Sequence, residues 1–372
     1  MSRVRIVFLV VLAALAGSGG LALAADHGGS VPTYQGNPAR TGEMPGPGPK
    51  APVGVRWQFA TGQAAIAPPV VAGGVVYAAG TGKTVYAIDA ASGDVVWEVP
   101  VPSSIETAAT VADGVVYLGG IDGMVYALDA ETGDERWRVV AGSGALSATA
   151  VVDGVIYVGS ADRAIIAIDG ESGAQVWSTP TTTSITSALA VADGTVYATD
   201  ASGTMLALDA ATGDQRWQAS AGTGAGSSPV VAGTTVYAGG GDGVIYALDA
   251  ASGEVRWRVP AGGAGTSSLA VVDGTVYVAT GDKIVLALDG ATGDQQWDAP
   301  TSALITSPPV IADGVLYVGG GDVNVSALDA ASGESLWSVP TASPVSSSPV
   351  VVDGTVFVGT NDGTLYALAA SK

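Results

Sequence analysis

Carboxylates are the one reactive group this sequence holds in quantity. It carries 34 acidic side chains against 14 basic ones, a single histidine, His27, and no cysteine. Without thiols there is no disulfide, no zinc–thiolate site and no cysteine nucleophile. One histidine near the N-terminus leaves no Ser/His/Asp triad and no imidazole acid/base site in the folded part. Calcium binding is the remaining chemistry for acidic groups, and it needs several oxygens converging within one short loop. The spacing speaks against that. Of the 34 acids, 25 fall into four columns, those of Asp89, Asp94, Asp113 and Asp122, all at or beside turns, and no Asp-x-Asp-x-Asp run exists. These columns read as turn residues whose side chains bond nearby backbone N–H groups. The net charge of −20 repels nucleic acid and anionic lipid surfaces.

The columns belong to a repeat. Trp57, Trp97, Trp137, Trp177, Trp217, Trp257, Trp297 and Trp337 are all the tryptophans of the chain, 40 residues apart without an insertion or deletion. Tyr77 to Tyr317 keep the same step, with Phe357 in the eighth place. Within one period the apolar runs Ala148–Val152, Val155–Gly159, Ala164–Asp169 and Ala174–Ser178 are parted by turn residues. Asp153-Gly154 between two such runs is a hairpin signal, since both residues tolerate positive φ. Four short antiparallel strands repeated eight times predict an all-β, eight-bladed propeller over residues 53–372, one sheet per blade. Each terminus lacks what the other has: Val55–Ala60 is a fourth strand without its first three, and the chain stops where the last copy should begin its fourth. Pairing them closes the ring and removes the free sheet edges.

Ahead of the array, Arg3 and Arg5, an apolar run from Ile6 to Ala16 and the small residues to Ala25 read as a signal peptide over 1–25, cleaved near Ala24 or Ala25. Eleven apolar residues are too few to span a bilayer. Retention as an anchor is the alternative, and Gly17-Ser18-Gly19-Gly20 interrupts it. With no cysteine there is no lipid anchor. Residues 26–52, with Pro45-Gly46-Pro47-Gly48-Pro49, read as an extended Gly/Pro-rich lead-in with no core of its own.

The run Ala127-x-Asp129-x-x-Thr132-Gly133-x-x-x-Trp137 resembles the tryptophan-docking motif of the quinoprotein, or PQQ-like repeat, propellers, and it recurs through Ala327–Trp337. The resemblance implies that each indole packs between the Ala of its own motif and the Gly peptide of the next, so the eight tryptophans are structural docking residues. It also implies two activities. Quinoprotein alcohol dehydrogenases bind pyrroloquinoline quinone over a Trp and under a disulfide of adjacent cysteines, with Ca²⁺ held by Glu, Asn and Asp. The BamB family, an assembly factor of outer-membrane β-barrel insertion, binds no quinone. This chain has no cysteine and no tryptophan outside the docking column, so the resemblance is closer to BamB; PQQ and Ca²⁺ enter as cofactors by resemblance alone.

What differs between copies lies on one face, which holds the fourth-to-first and second-to-third strand loops. Glu106 is the only charged residue in a column otherwise made of Ile66, Leu146, Thr186, Gly226, Thr266, Thr306 and Ser346. Lys83, Arg163, Asp200, Lys283 and Asn324 break the pattern in or just after the other loops of that face. These six are the candidate contacts around the channel mouth; neutral variation of solvated loops is the competing account. The expectation is an exported, monomeric, non-enzymatic binding or scaffolding propeller, periplasmic or secreted, with protein partners. A PQQ-dependent dehydrogenase and a purely structural surface module are the alternatives.

Overall fold

The computed structural model describes residues 30–224, 226–262, 269–305 and 307–371. The expected signal peptide and its expected cleavage point lie outside them, as do Thr266 and Thr306 of the Glu106 column. The described residues form eight four-stranded antiparallel sheets and no helix, so none of them makes a helix long and apolar enough to cross a membrane.

Blade 1 shows the unit: Val70–Ala72 innermost, then Val75–Ala78, Thr84–Asp89 and Val95–Pro100 at the rim. The two middle strands are buried on both faces because blades stack on each other, which is why they read as unbroken apolar runs. The first hairpin turns as expected: Asp113 and Gly114 have φ of 48° and 72°, as a two-residue loop matched to strand twist requires. A register shift between Ala127 and Leu128, repeated in the intact blades, leaves Arg136 without a partner across the ladder; this is a bulge, and it delivers Trp137 opposite Ala127.

The ring closes between the two ends. Val53–Ala60 pairs antiparallel with Thr364–Ala370, from Val53↔Ala370 to Ala60↔Thr364, and supplies the outer strand of blade 8. Both strands are longer than their counterparts, and Ser371 N–H donates to Pro52 C=O beyond them.

Residues 31–44 lie at the hub. The middle residue of an innermost strand points its N–H at the axis, and in six blades this group meets a lead-in carbonyl. Val71 donates to Val31, Val111 to Pro32, Val191 to Pro38, Val231 to Ala39, Val271 to Thr41 and Ile311 to Gly42, at 2.7–2.9 Å. Blade 3 is reached by the side chain of Arg40 instead, and blade 8 by Pro47, whose C=O accepts from Gly354 N–H. The segment thus has no core separate from the propeller's; Val31, Thr33, Gln35, Arg40 and Met44 are buried in the ring's own interior. The reason lies in the polar backbone: inward-facing strand N–H groups need acceptors, and six of them find carbonyls of residues 31–44.

Candidate functional site

The hairpin face is uniform and is held by a belt of docking contacts. Trp97 donates its indole N–H to Ala130 C=O of the next blade at 3.0 Å, and Tyr77 Oη donates to the same oxygen at 3.0 Å. The two rings lie 5.9 Å apart. Gly133, with φ of 79°, lies flat on the indole; a Cβ there would come within 2.9 Å of Cδ2, so only glycine fits. Asp129 shapes this turn, its Oδ1 accepting from the N–H groups of Glu131 and Thr132 at 3.0 Å. Arg136 pairs with its other oxygen at 2.7 Å, and these bonds, the Arg136 side chain foremost, hold the Asp129 carboxyl down to about 2. Asp249 with Arg256 repeats the arrangement and is likewise held to about 2. The carboxylate columns are spent on turns, and among the described residues no three of His, Cys, Asp or Glu are grouped to hold a metal ion.

The eighth joint differs. Trp57 to Trp297 each donate to a carbonyl 33 residues on, but Trp337 and Tyr317 of blade 7 point at blade 8, whose docking turn is replaced by the two chain ends. No protein acceptor takes either group among the described residues, and Tyr317 Oη is fully buried against Gly48. Burial raises Tyr317 to about 12.

At the hub, Arg40 is wholly enclosed and donates to the carbonyls of Leu189, Tyr34 and Thr149, while its guanidinium lies 5.0 Å from the Tyr34 ring centre. Burial brings it down to about 10, with Tyr34 opposing. Tyr34 packs against Ala108, Ala148 and Ala188, one from each of three blades, and forms the floor of the axial mouth on the loop face. Nothing in the repeat pattern points to this filling. The available signal was modest: Tyr34 is the one tyrosine outside the columns, and Val31, Arg40 and Met44 are large side chains in a segment otherwise rich in small residues.

On the loop face a second lock appears that the sequence analysis missed. Ile105, Ile185, Val345, Ile66 and Leu146 are buried, and all but Ile105, which packs in a cluster with Ala79, insert over the end of a preceding strand where glycine makes room. Gly159 under Ile185 and Gly319 under Val345 are the tightest instances. The inserted residue alternates between two adjacent positions. Where Ile105 takes the inner place, the following residue turns outward, and that residue is Glu106. Ser147, Ser307 and Ser347 hydroxyls accept from the N–H groups of Gly159, Gly319 and Gly359 at 2.7–2.9 Å, so the hydroxyl column is structural.

Of the six candidates, the structure brings only Glu106 to the axial mouth. It is exposed and lines a cavity of 170 Å³ over Tyr34 and an adjoining one of 300 Å³ that reaches Ile66 and Ser346. The other five sit apart, four on the strand-two-to-three loops and Asn324 at the start of the strand Asn324–Asp329, and line neither. Lys83, Arg163 and Lys283 occupy a turn position at φ of 61°, 71° and 64° where Gly123, Gly203 and Gly243 stand in other blades. The turn demands that conformation because the carbonyl there accepts the N–H that follows the outer strand, as in Val101 to Lys83 at 2.8 Å. Asp200 is buried and caps its own loop, accepting from the N–H groups of Ser202 and Thr204 at 2.9 Å. Burial pushes it up, but these bonds and the Ser202 hydroxyl outweigh that and leave it below the usual carboxylate range. Asn324 donates to Asp322 C=O at 2.9 Å.

The fold is similar to that of BamB from Moraxella catarrhalis, at 22% identity over 85% of this chain and 99% of that one, TM-score 0.72. It is also similar to the computationally designed Ika8 protein, at 21% identity over 83% and 97%, TM-score 0.77. A third likeness is to quinohemoprotein alcohol dehydrogenase from Comamonas testosteroni, at 17% identity over 92% and 81%, TM-score 0.78. At these identities the likeness is one of fold. No curated protein matches the chain. The repeats themselves match the family described as outer membrane protein assembly factor BamB over residues 54–151, 122–225, 207–306 and 299–372, and the chain belongs to that family.

Proposed function

We propose that this protein is an exported, non-enzymatic binding or scaffolding propeller that holds polypeptide partners at its loop face, in the periplasm or outside the cell. The observation that carries this reading is the hub. Where a propeller enzyme would seat a cofactor, this chain places its own residues 31–44, with Tyr34 across the axis and Arg40 spent on backbone carbonyls. Pyrroloquinoline quinone with Ca²⁺ does not fit these residues. A single carboxylate, Glu106, stands at the mouth, and one carboxylate cannot supply the six to eight oxygens that Ca²⁺ takes. The hairpin face is committed to docking turns, so the loop face is left to meet a partner. Membership of the BamB family, and the likeness to a protein named as BamB, support a protein-interaction role.

Cross-linking of the native protein in its compartment, followed by mass spectrometry, tests the reading. Specific cross-links from loop-face residues to another polypeptide are expected; a protein that yields none is a structural module instead. Titration with quinone and Ca²⁺ tests the enzymatic alternative, which favourable fold similarity to an alcohol dehydrogenase keeps in view. Stoichiometric binding with dye-linked alcohol oxidation would overturn the non-enzymatic reading.

A further inference from the structure

The axial mouth has a chemistry of its own. Its two compartments share Pro68 and Glu106, and Glu106 is the one charged residue lining either. Small apolar walls, Ala108, Ala148 and Ala188, stand over the Tyr34 floor, and Thr107, Thr186 and Ser228 also line the opening, the Thr107 hydroxyl donating to Gly119 C=O and the Ser228 hydroxyl accepting from Ala188 N–H, each with a lone pair left to accept. Among the described residues Glu106 has no ion-pair partner. Its orientation is imposed, because Ile105 is fully buried beneath it and fixes which way the loop faces.

We infer that the axial mouth is a binding site for a primary ammonium on an alkyl stem, the side chain of a lysine presented by a partner protein, with the Glu106 carboxylate as its counter-ion. This deepens the protein-binding reading and rests on it. A divalent metal is excluded by the single carboxylate. A guanidinium could chelate this one carboxylate but is a broad planar group, whereas an ammonium is a compact charge, suited to a cavity of 170 Å³, whose three donors divide between a carboxylate and neighbouring hydroxyls. The apolar walls suit the methylene stem. Arg40, below Tyr34, is wholly enclosed and faces three carbonyl oxygens, whose dipoles oppose its field toward the mouth. Lysine-bearing partners are also favoured at long range by the net charge of −20.

The test uses the full chain and Nα-acetyl-lysine methylamide as the probe, followed by NMR shifts and calorimetry at low salt up to 20 mM. One-to-one binding is expected, weakened at least tenfold by Glu106→Gln and at least tenfold with the norleucine analogue, while Glu98→Gln on the rim of blade 1 leaves it unchanged. Cadaverine distinguishes a free diamine from a protein side chain: if it binds more than tenfold tighter than the lysine probe, the site serves small amines and the inference of a protein lysine fails. No binding at 20 mM, equal binding by norleucine, or an unchanged Glu106→Gln also overturns it. Cross-linking separates this from the broader reading. A partner held equally by wild type and Glu106→Gln removes the lysine anchor but leaves loop-face binding standing, whereas the absence of any partner removes both.

Discussion

Single residues in this ring are best judged by comparing copies, because seven joints share one geometry and the eighth departs from it. Tyr117 Oη donates to Gly170 C=O at 3.1 Å, and Trp137 donates to the same oxygen at 3.1 Å. Replacing Tyr117 by Phe should cost about 1 kcal/mol, the net worth of one such bond. Tyr317→Phe removes a buried hydroxyl that has no protein acceptor, so it should be neutral or stabilising. Urea denaturation of the two variants gives the contrast, and equal losses would mean that the eighth joint is satisfied after all. Trp217, 8% exposed and donating to Ala250 C=O at 3.0 Å, fills the space between blades 4 and 5. Trp217→Ala should cost about 3–5 kcal/mol through the cavity it leaves; a loss below about 1 kcal/mol would contradict the docking role.

Elements add an electrostatic layer to the same belt. The docking turn of blade 5 is held by Asp249, whose carboxyl sits near 2 because Arg256 and the Ser252 N–H favour its charged form. An unfolded Asp titrates near 3.9. The folded value is the lower one, so the stabilisation is fully present above about pH 5 and is lost as pH falls through about 2. Asp249→Asn keeps a side-chain oxygen for the turn but gives up the ion pair. Wild type should therefore exceed this variant in stability at pH 6, and the gap should shrink by more than half by pH 2.5, which melting curves at several pH values will show. A gap that persists unchanged to pH 2.5 would mean the carboxylate charge is irrelevant to the turn. Turn and docking tryptophan were both legible in the sequence because they are local and recur at a fixed step. The apolar lock of the loop face was not, since Ile66, Ile105, Leu146 and Ile185 alternate between two positions and blur the column.

For the molecule as a whole, the N-terminal arm does two jobs that no single blade can do. Residues 31–44 accept from the inward N–H groups of six blades, and Val53–Ala60 completes blade 8. Deleting residues 26–60 should leave one blade with an open strand edge and the hub without its acceptors, and light scattering should show aggregation. A truncated chain that stays monomeric and equally stable would contradict ring closure. The sequence by itself determined the blade, the number of blades and the way the ends meet, because a period of 40 with one tryptophan per copy leaves few other ways to bury those faces. About the axis it offered only the odd charge of Glu106 in its column. Where residues 31–44 run, why Arg40 is enclosed and why Glu106 alone among the candidates reaches the mouth depend on eight strands converging from all parts of the chain. Such convergence is a property of three-dimensional closure, with no periodicity to announce it.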